Sequence, residues 1–352
     1  MGTKNQCVVC PDKLRGVLTD VFVNVGLAEE DAVVVATNLV DSNLCGVDTH
    51  GIMRLVSYIE RFENGTFSKE NKIQIIREAP STACIDAGGA IGILSGEKAM
   101  RIAMEKARQT GVAAVSVYNS GHFGAAGYFT RMAAKENMIG FACTNGLPAI
   151  APWGGTRPYH GTNPFAVGVP SREDPIVLDM ATSVVARGKV MLAKKEGKAI
   201  PEGWALDKNG CPTTDPTEAL AGTMFPVGGV KGYGIALIID LLCAALSGAD
   251  VGTHLTPLDQ LHGSQNLGHF FIAIDVEKFR PADDFLDDVE MIKNDIKSLP
   301  RIEGVEKIMM PGEPESDKKR ERTENGIQIP PAVYRDLEMV CERFGVCCDV
   351  LK

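Results

Sequence analysis

The run GGVKGYGIAL, residues 228–237, joins a glycine turn to an apolar stretch that continues to Leu246. At such a junction a doubly wound dinucleotide fold carries G-x-G-x-x-G, with glycines for the tight turn and for close approach to pyrophosphate. Gly232 and Gly234 match the first two positions, but Leu237 stands at the third. No G-x-x-x-x-G-K-[ST] phosphate loop occurs either. The usual nucleotide fingerprints are therefore absent. Lys231 keeps some interest, because a cation in a glycine turn at a helix start adds to free backbone N–H groups and the helix dipole in holding an anion. A solvated loop lysine has the same pattern.

Outward from this run, elements alternate. Apolar spacing of three and four predicts helices over 12–26, 29–44, about 50–63 and about 95–109. Later helices are expected near 184–195, from the glycine cluster to Leu246, and over 284–298 and 331–344. Apolar runs predict strands at IQIIRE (73–78), TACID (82–86), GVAAVSVY (111–118), MIGFACT (138–144), PFAVGVP (164–170), PIVLD (175–179) and HFFIAID (269–275). EPESDKKRERTEN (313–325) has no apolar stripe and is expected to be a charged surface loop. The class is α/β or α+β. The glycine-rich centre, 120–258, is expected to form one domain, with 1–119 and 259–352 folding together as the other.

The 352 residues allow roughly two domains. A 45% hydrophobic and 23% charged composition permits a sizeable core. A net charge of −9 argues against nucleic acid or an anionic membrane as the main partner, but a local cation can still hold a small anion. The longest apolar run, near IALIIDLLCAAL (235–246), is too short to span a bilayer and carries Asp240. The first residues show no signal-peptide pattern. Most of the ten cysteines lie singly in apolar runs, so no disulfide framework is expected and a reducing, cytoplasmic setting is favoured. Cys7-x-x-Cys10 lacks a second pair at zinc spacing, no H-E-x-x-H occurs, and no metal site is expected.

Two clusters carry chemistry. In VDTHGIMRL (47–55), a helix beginning near Thr49 would set His50 and Arg54 at i and i+4 on one face, with Thr49 or Asp48 as its cap. Arginine forks onto a carboxylate, and histidine exchanges a proton near neutral pH. The pair suits a 2-oxo or 2-hydroxy acid; an ordinary polar helix face would read the same. In SGHFGAAGY (120–128), His122 follows a buried strand in a glycine-rich loop, a common site position. The same pattern serves a turn histidine without chemistry. Asp179 ends the strand of LDMATS (178–183), where it could orient a histidine, accept ribose hydroxyls or simply start a turn.

Eight segments now stand in one order: GVDTHGIMRL, NSGHFGAAGYF, GTNPFAVGVPS, PIVLDMATS, IPEGWALDKNG, GGVKGYGIAL, NLGHFFIAID and MPGEPE. Together they resemble the malate/L-lactate dehydrogenase family that is unrelated to the Rossmann lactate dehydrogenases. The resemblance implies an α/β fold of its own, with a central cofactor domain and a second domain built from both chain ends. It implies a homodimer and NAD(P)-dependent interconversion of 2-oxo and 2-hydroxy acids, or of relatives such as cyclic imino acids. NAD is expected, with NADP open, and malate and oxaloacetate are the favoured pair. By the same resemblance Arg54 binds the substrate carboxylate, His50 or His122 is the acid/base, and Asp179 supports the first histidine. His122, Asn145, Asp179, Met180, Ala181, Lys231, Gly312, Glu313 and Pro314 fall at cofactor contacts. Where the family has serine before the first histidine, this chain has Thr49, which keeps the hydroxyl but is stiffer at χ1. A non-catalytic relative and a metal-dependent hydrolase are the competing classes.

Overall fold

The computed structural model describes residues 7–256 and 265–351. In chain order its elements are β1 (Cys7–Val9), α1 (Pro11–Val25), α2 (Glu29–Leu44), α3 (Leu55–Glu63), β2 (Gln74–Ala79), β3 (Thr82–Asp86), α4 (Gly92–Thr110) and β4 (Val112–Ser120). Next come α5 (Ala126–Ala134), β5 (Met138–Thr144), β6 (Phe165–Val169), β7 (Ile176–Met180), α6 (Arg187–Glu196), β8 (Ala205–Leu206), β9 (Pro212–Thr213), α7 (Pro216–Ala221) and β10 (Thr223–Met224). The chain continues through α8 (Val230–Asp240), β11 (Leu267–Asp275), α9 (Ala282–Ser298), α10 (Glu313–Asn325), β12 (Ile327–Ile329) and α11 (Pro331–Phe344).

The main sheet runs β2-β3-β4-β11-β5-β6-β7. Only β3 and β4 are parallel in it; the other neighbours are antiparallel. β11 lies near the middle, and its run LGHFFIAID is almost wholly buried, as a strand covered on both faces must be. Helix α4 packs so closely on it that a Cβ at Gly96 would lie 2.8 Å from Phe129 and 3.2 Å from Phe271. Phe123, Phe129 and Phe271 fill this layer, each stabilising the fold by about 1.5–3 kcal/mol through burial. The sheet draws strands from all three segments expected from the sequence. The boundary expected between 258 and 259 lies outside the described residues.

Three expectations need correction. The segment expected as one helix from His50 to Glu63 is two 3₁₀ turns, Asp48–His50 and Ile52–Arg54, followed by α3. Gly51, at φ −89° and ψ −146°, breaks the helix, and Asn43 Oδ1 accepts the Ile52 N–H at 2.9 Å. His50 and Arg54 are therefore not one turn apart on a continuous helix, and neither Thr49 nor Asp48 caps one.

The charged run 313–325 is helix α10, not a loop. It has no buried residue and so no apolar period, but Lys318–Glu321 and Asp317–Arg320 pairs support it along one turn. It is anchored across the molecule by Lys319 to Asp41 and by Arg322 to Asp48.

Against the expectation of no disulfide, Cys341 and Cys348 are bonded. Gly345, at φ +66°, turns the chain at the end of α11 and brings Cys348 back beside it.

Candidate active site

Helix α2 forms the floor. It presents Asn38, Ser42 and Asn43, all buried, toward the two loops that carry the histidines. A Cβ on Gly51 would lie 2.2 Å from Asn43 Oδ1, and one on Gly124 (φ +80°) 2.6 Å from Asn38 Oδ1. Only glycine lets both loops settle this closely onto α2. Asn43 Nδ2 donates to Asp48 Oδ1 at 2.6 Å while its Oδ1 holds Ile52, so one amide fixes both sides of the His50 turn. Arg322 reaches over from α10 to Asp48 at 2.7 and 3.1 Å.

On this floor the structure brings His50 and His122 together. Their rings stack with centroids 5.6 Å apart and planes 19° apart. Thr49 Oγ1 lies 3.1 Å from His50 Nδ1. Tyr58 Oη lies 2.7 Å from His122 Nδ1, and the Gly124 N–H points at the same nitrogen from 3.3 Å. A backbone N–H can only donate, so His122 Nδ1 accepts and the neutral ring carries its proton on Nε2. Burial, and after it the charge of Arg54, push His50 down to about 4. Burial pushes His122 well below the usual histidine range, with Arg54 and His50 adding to it. Both rings are neutral at pH 7. Arg54 Nε donates to Thr49 O at 2.7 Å, which fixes the guanidinium and leaves its outer nitrogens for a ligand.

Asp179, in β7, accepts the Gly127 N–H at 2.8 Å. Its bond is thus to the start of α5, behind the His122 loop, rather than to the His50 ring. Crowding pushes its carboxyl up, against the lowering by that N–H and by Arg131. Met180 ends the same strand opposite Phe165, and Ala181 follows it. Gly312 (φ +84°) brings the start of α10 against β7, where a Cβ would meet Val177 at 2.9 Å. Pro314 sits in the first turn of α10. Glu313 is committed to Lys297 at 2.9 Å, Lys307 at 3.3 Å and the Met310 N–H at 3.0 Å. Asn145 is buried, with Nδ2 on Asp250 O at 2.7 Å and Oδ1 accepting the Gly268 N–H at 2.9 Å. Its side-chain amide serves the frame, and so does its backbone, whose N–H donates to Gly268 O at 3.3 Å and whose carbonyl accepts the Thr144 hydroxyl at 3.0 Å.

Lys231 is exposed in the first turn of α8, with no carboxylate partner among the described residues. Gly232 allows that turn to close: a Cβ there would lie 2.3 Å from Val227 O. An unpaired cation, free helix N–H groups and an accessible carboxylate at Asp179 suit the phosphates and ribose hydroxyls of a dinucleotide. Among the described residues no three His, Cys, Asp or Glu side chains gather as metal ligands.

Sequence reading missed Tyr58, Asn38, Asn43 and His269. Tyr58 and Asn43 lie at helical positions that read as core or surface. His269, fully buried, bonds Thr144 at 2.7 Å and Ser120 at 2.9 Å and stacks on Phe123 at 4.8 Å, beneath the His122 loop. Its signal was a lone histidine inside an apolar strand.

The chain is 39% identical over 339 residues to the L-sulfolactate dehydrogenase of Methanocaldococcus jannaschii, covering 96% of this chain and 98% of that one. It is 38% identical over 351 residues to the malate dehydrogenase of Pyrococcus horikoshii, covering 97% of each. The crystal structure of malate dehydrogenase from Entamoeba histolytica superposes with a TM-score of 0.94 at 33% identity, covering 98% of this chain and all of that one. The class is that of oxidoreductases of small hydroxy acids. The model of the malate/L-lactate dehydrogenase family matches residues 9–338, and the chain belongs to that family.

Proposed function

We propose that the protein interconverts a 2-hydroxy acid and its 2-oxo acid with NAD or NADP, malate and oxaloacetate being the favoured pair. The observation that carries this reading is the stacked, neutral His50–His122 pair beside the outward guanidinium of Arg54. When bound, the nicotinamide supplies hydride exchange at the substrate C2 carbon. Lys231, Asp179 and the turns at Gly127 and Gly312 would hold the dinucleotide. Residues 120–258 would act as its binding part.

Arg54 binds the C1 carboxylate through its free nitrogens. His122 offers its Nε2–H to the C2 oxygen and orients it; Tyr58 and Gly124 fix that tautomer. His50, its Nδ1 facing the Thr49 hydroxyl, exchanges the proton at Nε2. A neutral His50 is the base needed to oxidise a hydroxy acid. In the reverse direction the bound carboxylate offsets Arg54 and lets His50 take up the proton it must give. Asp179 acts on the His122 side through Gly127, holding the loop in place.

A homodimer is the assembly we favour. Toward its end α8 and the π turn after it leave Ile238, Leu241 and Leu246 54%, 49% and 60% exposed, a surface suited to a second copy. Eight free cysteines are in keeping with a reducing cytoplasm. Among the described residues no helix is long and apolar enough to cross a membrane.

The test is the nicotinamide absorbance of the purified protein with NADH and NADPH against oxaloacetate, pyruvate, sulfopyruvate, 2,3-diketogulonate and a cyclic imine. Rapid oxidation with a 2-oxo acid is expected. No turnover with any of them, in folded protein that binds cofactor, would overturn the reading of the substrate class.

A further inference from the structure

His269 lies near the start of β11, wholly buried, on the face of the strand it shares with Phe271 and Ala273. Because β11 runs antiparallel to both β4 and β5, its start lies between their ends. His122 follows the end of β4, while β5 leads through β6 to β7 and Asp179. The ring therefore stands at a seam. On one side is the proton-transfer loop, and on the other the half of the sheet to which the proposed function gives the dinucleotide.

Its bonds cross that seam. Nδ1 lies 2.7 Å from Thr144 Oγ1 at the end of β5, and Nε2 lies 2.9 Å from Ser120 Oγ at the end of β4, two residues before His122. The Thr144 hydroxyl faces two carbonyls, Asn145 O at 3.0 Å and Gly268 O at 3.1 Å, which can only accept. Its hydrogen goes to them, so its oxygen accepts from His269 Nδ1–H. Burial pushes the ring down to about 3, so it is neutral and its Nε2 accepts from the Ser120 hydroxyl. Ser95 Oγ, in α4, lies 2.8 Å from Ser120 Oγ and completes the chain. One face of the ring stacks on Phe123, the residue after His122, at 4.8 Å with planes 15° apart.

A phenylalanine would fill this space without a buried polar chain to satisfy. Ser120 and Thr144 each have another partner, so the histidine is not needed to rescue an orphaned hydroxyl. What it adds is a directional bond to each strand end and a grip on the His122 loop from below. Groups that react together must be held within about 0.5 Å, and bonds behind them do this better than apolar packing alone.

We propose that His269 is a positioning residue for hydride transfer: by bonding Ser120 and Thr144 at once and stacking on Phe123, it fixes the His122 loop against the dinucleotide half of the sheet. This rests on the dehydrogenase reading above and deepens it.

The test compares wild type, His269→Phe, His269→Gln and Thr144→Val in the reduction of oxaloacetate. His269→Phe keeps the ring stack and should fold; Thr144→Val cuts the chain at its far end and carries the same test should the first variant fail to fold. In His269→Phe kcat should fall about 10–100-fold, the scale of a misplacement of up to 1 Å. KM for the acid and the Kd of NADH, read from its fluorescence, should each change less than about 3-fold, since no group that binds either is removed. With NADH deuterated at the transferred position, the isotope effect on kcat should rise as hydride transfer becomes the slow step. His269→Gln, which keeps a donor and an acceptor, should recover part of the rate, and Thr144→Val should show the same split with a smaller loss. A lower urea midpoint with kcat per folded molecule unchanged would make His269 a structural core histidine and overturn the proposal. So would a loss carried by NADH affinity alone. The His122 imidazole resonances in protein labelled with ¹⁵N-histidine give a readout without turnover: they should shift in His269→Phe, and unmoved resonances would also overturn it. Failure of the dehydrogenase reading looks different: wild type itself reduces no 2-oxo acid.

Discussion

Two pairs of groups built on histidine sit in this molecule, and they are made in opposite ways. His160 lies 2.6 Å from Asp240, both side chains almost wholly buried, with Tyr233 edge-on at 5.4 Å. His50 and His122 face each other in a cleft that solvent reaches, without a carboxylate bonded to either ring. The first pair ties the 145–160 loop to the end of α8 and is shut away from solvent. The second has polar donors behind it and an open side in front. A carboxylate beside a histidine is therefore not what marks the site here. What marks it is a pair of imidazoles kept neutral by crowding and by Arg54, with tautomers set from behind.

The sharpest way to break this contrast is to remove each imidazole. His50→Ala or His122→Ala should lower kcat by about 10²–10⁴-fold with little change in folding. His122→Gln, which keeps an N–H donor, should retain more activity than His122→Ala. Steady-state kinetics beside circular dichroism checks both, and near-wild-type turnover in both alanine variants would end histidine acid/base catalysis. His160→Ala should do the reverse. Leaving Asp240 buried and alone should cost about 3 kcal/mol or more of stability, read from urea unfolding, while KM for the acid stays constant.

Arg54→Lys comes next. A lysine cannot reproduce the planar fork, so KM for the acid should rise about 10-fold or more. An unchanged KM would remove the carboxylate clamp.

The pH dependence sharpens the comparison further. A lowered histidine pKa means the unfolded chain binds a proton that the folded chain refuses. Stability is then full above the ordinary histidine value, near 6.5, and falls as pH drops toward the value of about 4 for His50. His50→Gln should flatten the fall of melting temperature over that window. For hydroxy-acid oxidation the neutral ring is the active form, so kcat/KM should hold level below pH 6.5 and decline only nearer 4. An acid limb at about 6.5 would show that the free enzyme does not depress His50.

The smallest effect should come from the C-terminal bridge. Reducing Cys341–Cys348 opens a short loop, which costs about 2.5 kcal/mol of stability, and it should leave turnover unchanged. Melting scans and rates with and without reductant measure both.

Much of the frame was legible because its signals are local. TACID and MIGFACT became β3 and β5 at the expected bounds, and the helices near 29–44 and 331–344 appeared as α2 and α11. A short apolar run bounded by turns needs no distant partner to declare itself. The site was legible only as residue types. Asp48, Thr49, His50 and Arg54 stood together in the sequence, but the helix expected to order them is broken at Gly51 by Asn43, a side chain on another element. Helix α10 was unreadable for the opposite reason. Its support is charge pairing with Asp41 and Asp48, more than 270 residues earlier in the chain, and charge pairing leaves no apolar period.

By itself the sequence determined the seven strands of the main sheet, most of the helices, the eight family segments and the chemical kinds of group available: two imidazoles, a guanidinium, a carboxylate and a lysine. Only the tertiary structure decided that α2 is a polar floor beneath both histidine loops and that Asp179 serves Gly127 rather than His50. The physical reason is range. Periodicity and turn chemistry act over a few residues, whereas tautomer, burial and unpaired charge depend on which distant segments pack together.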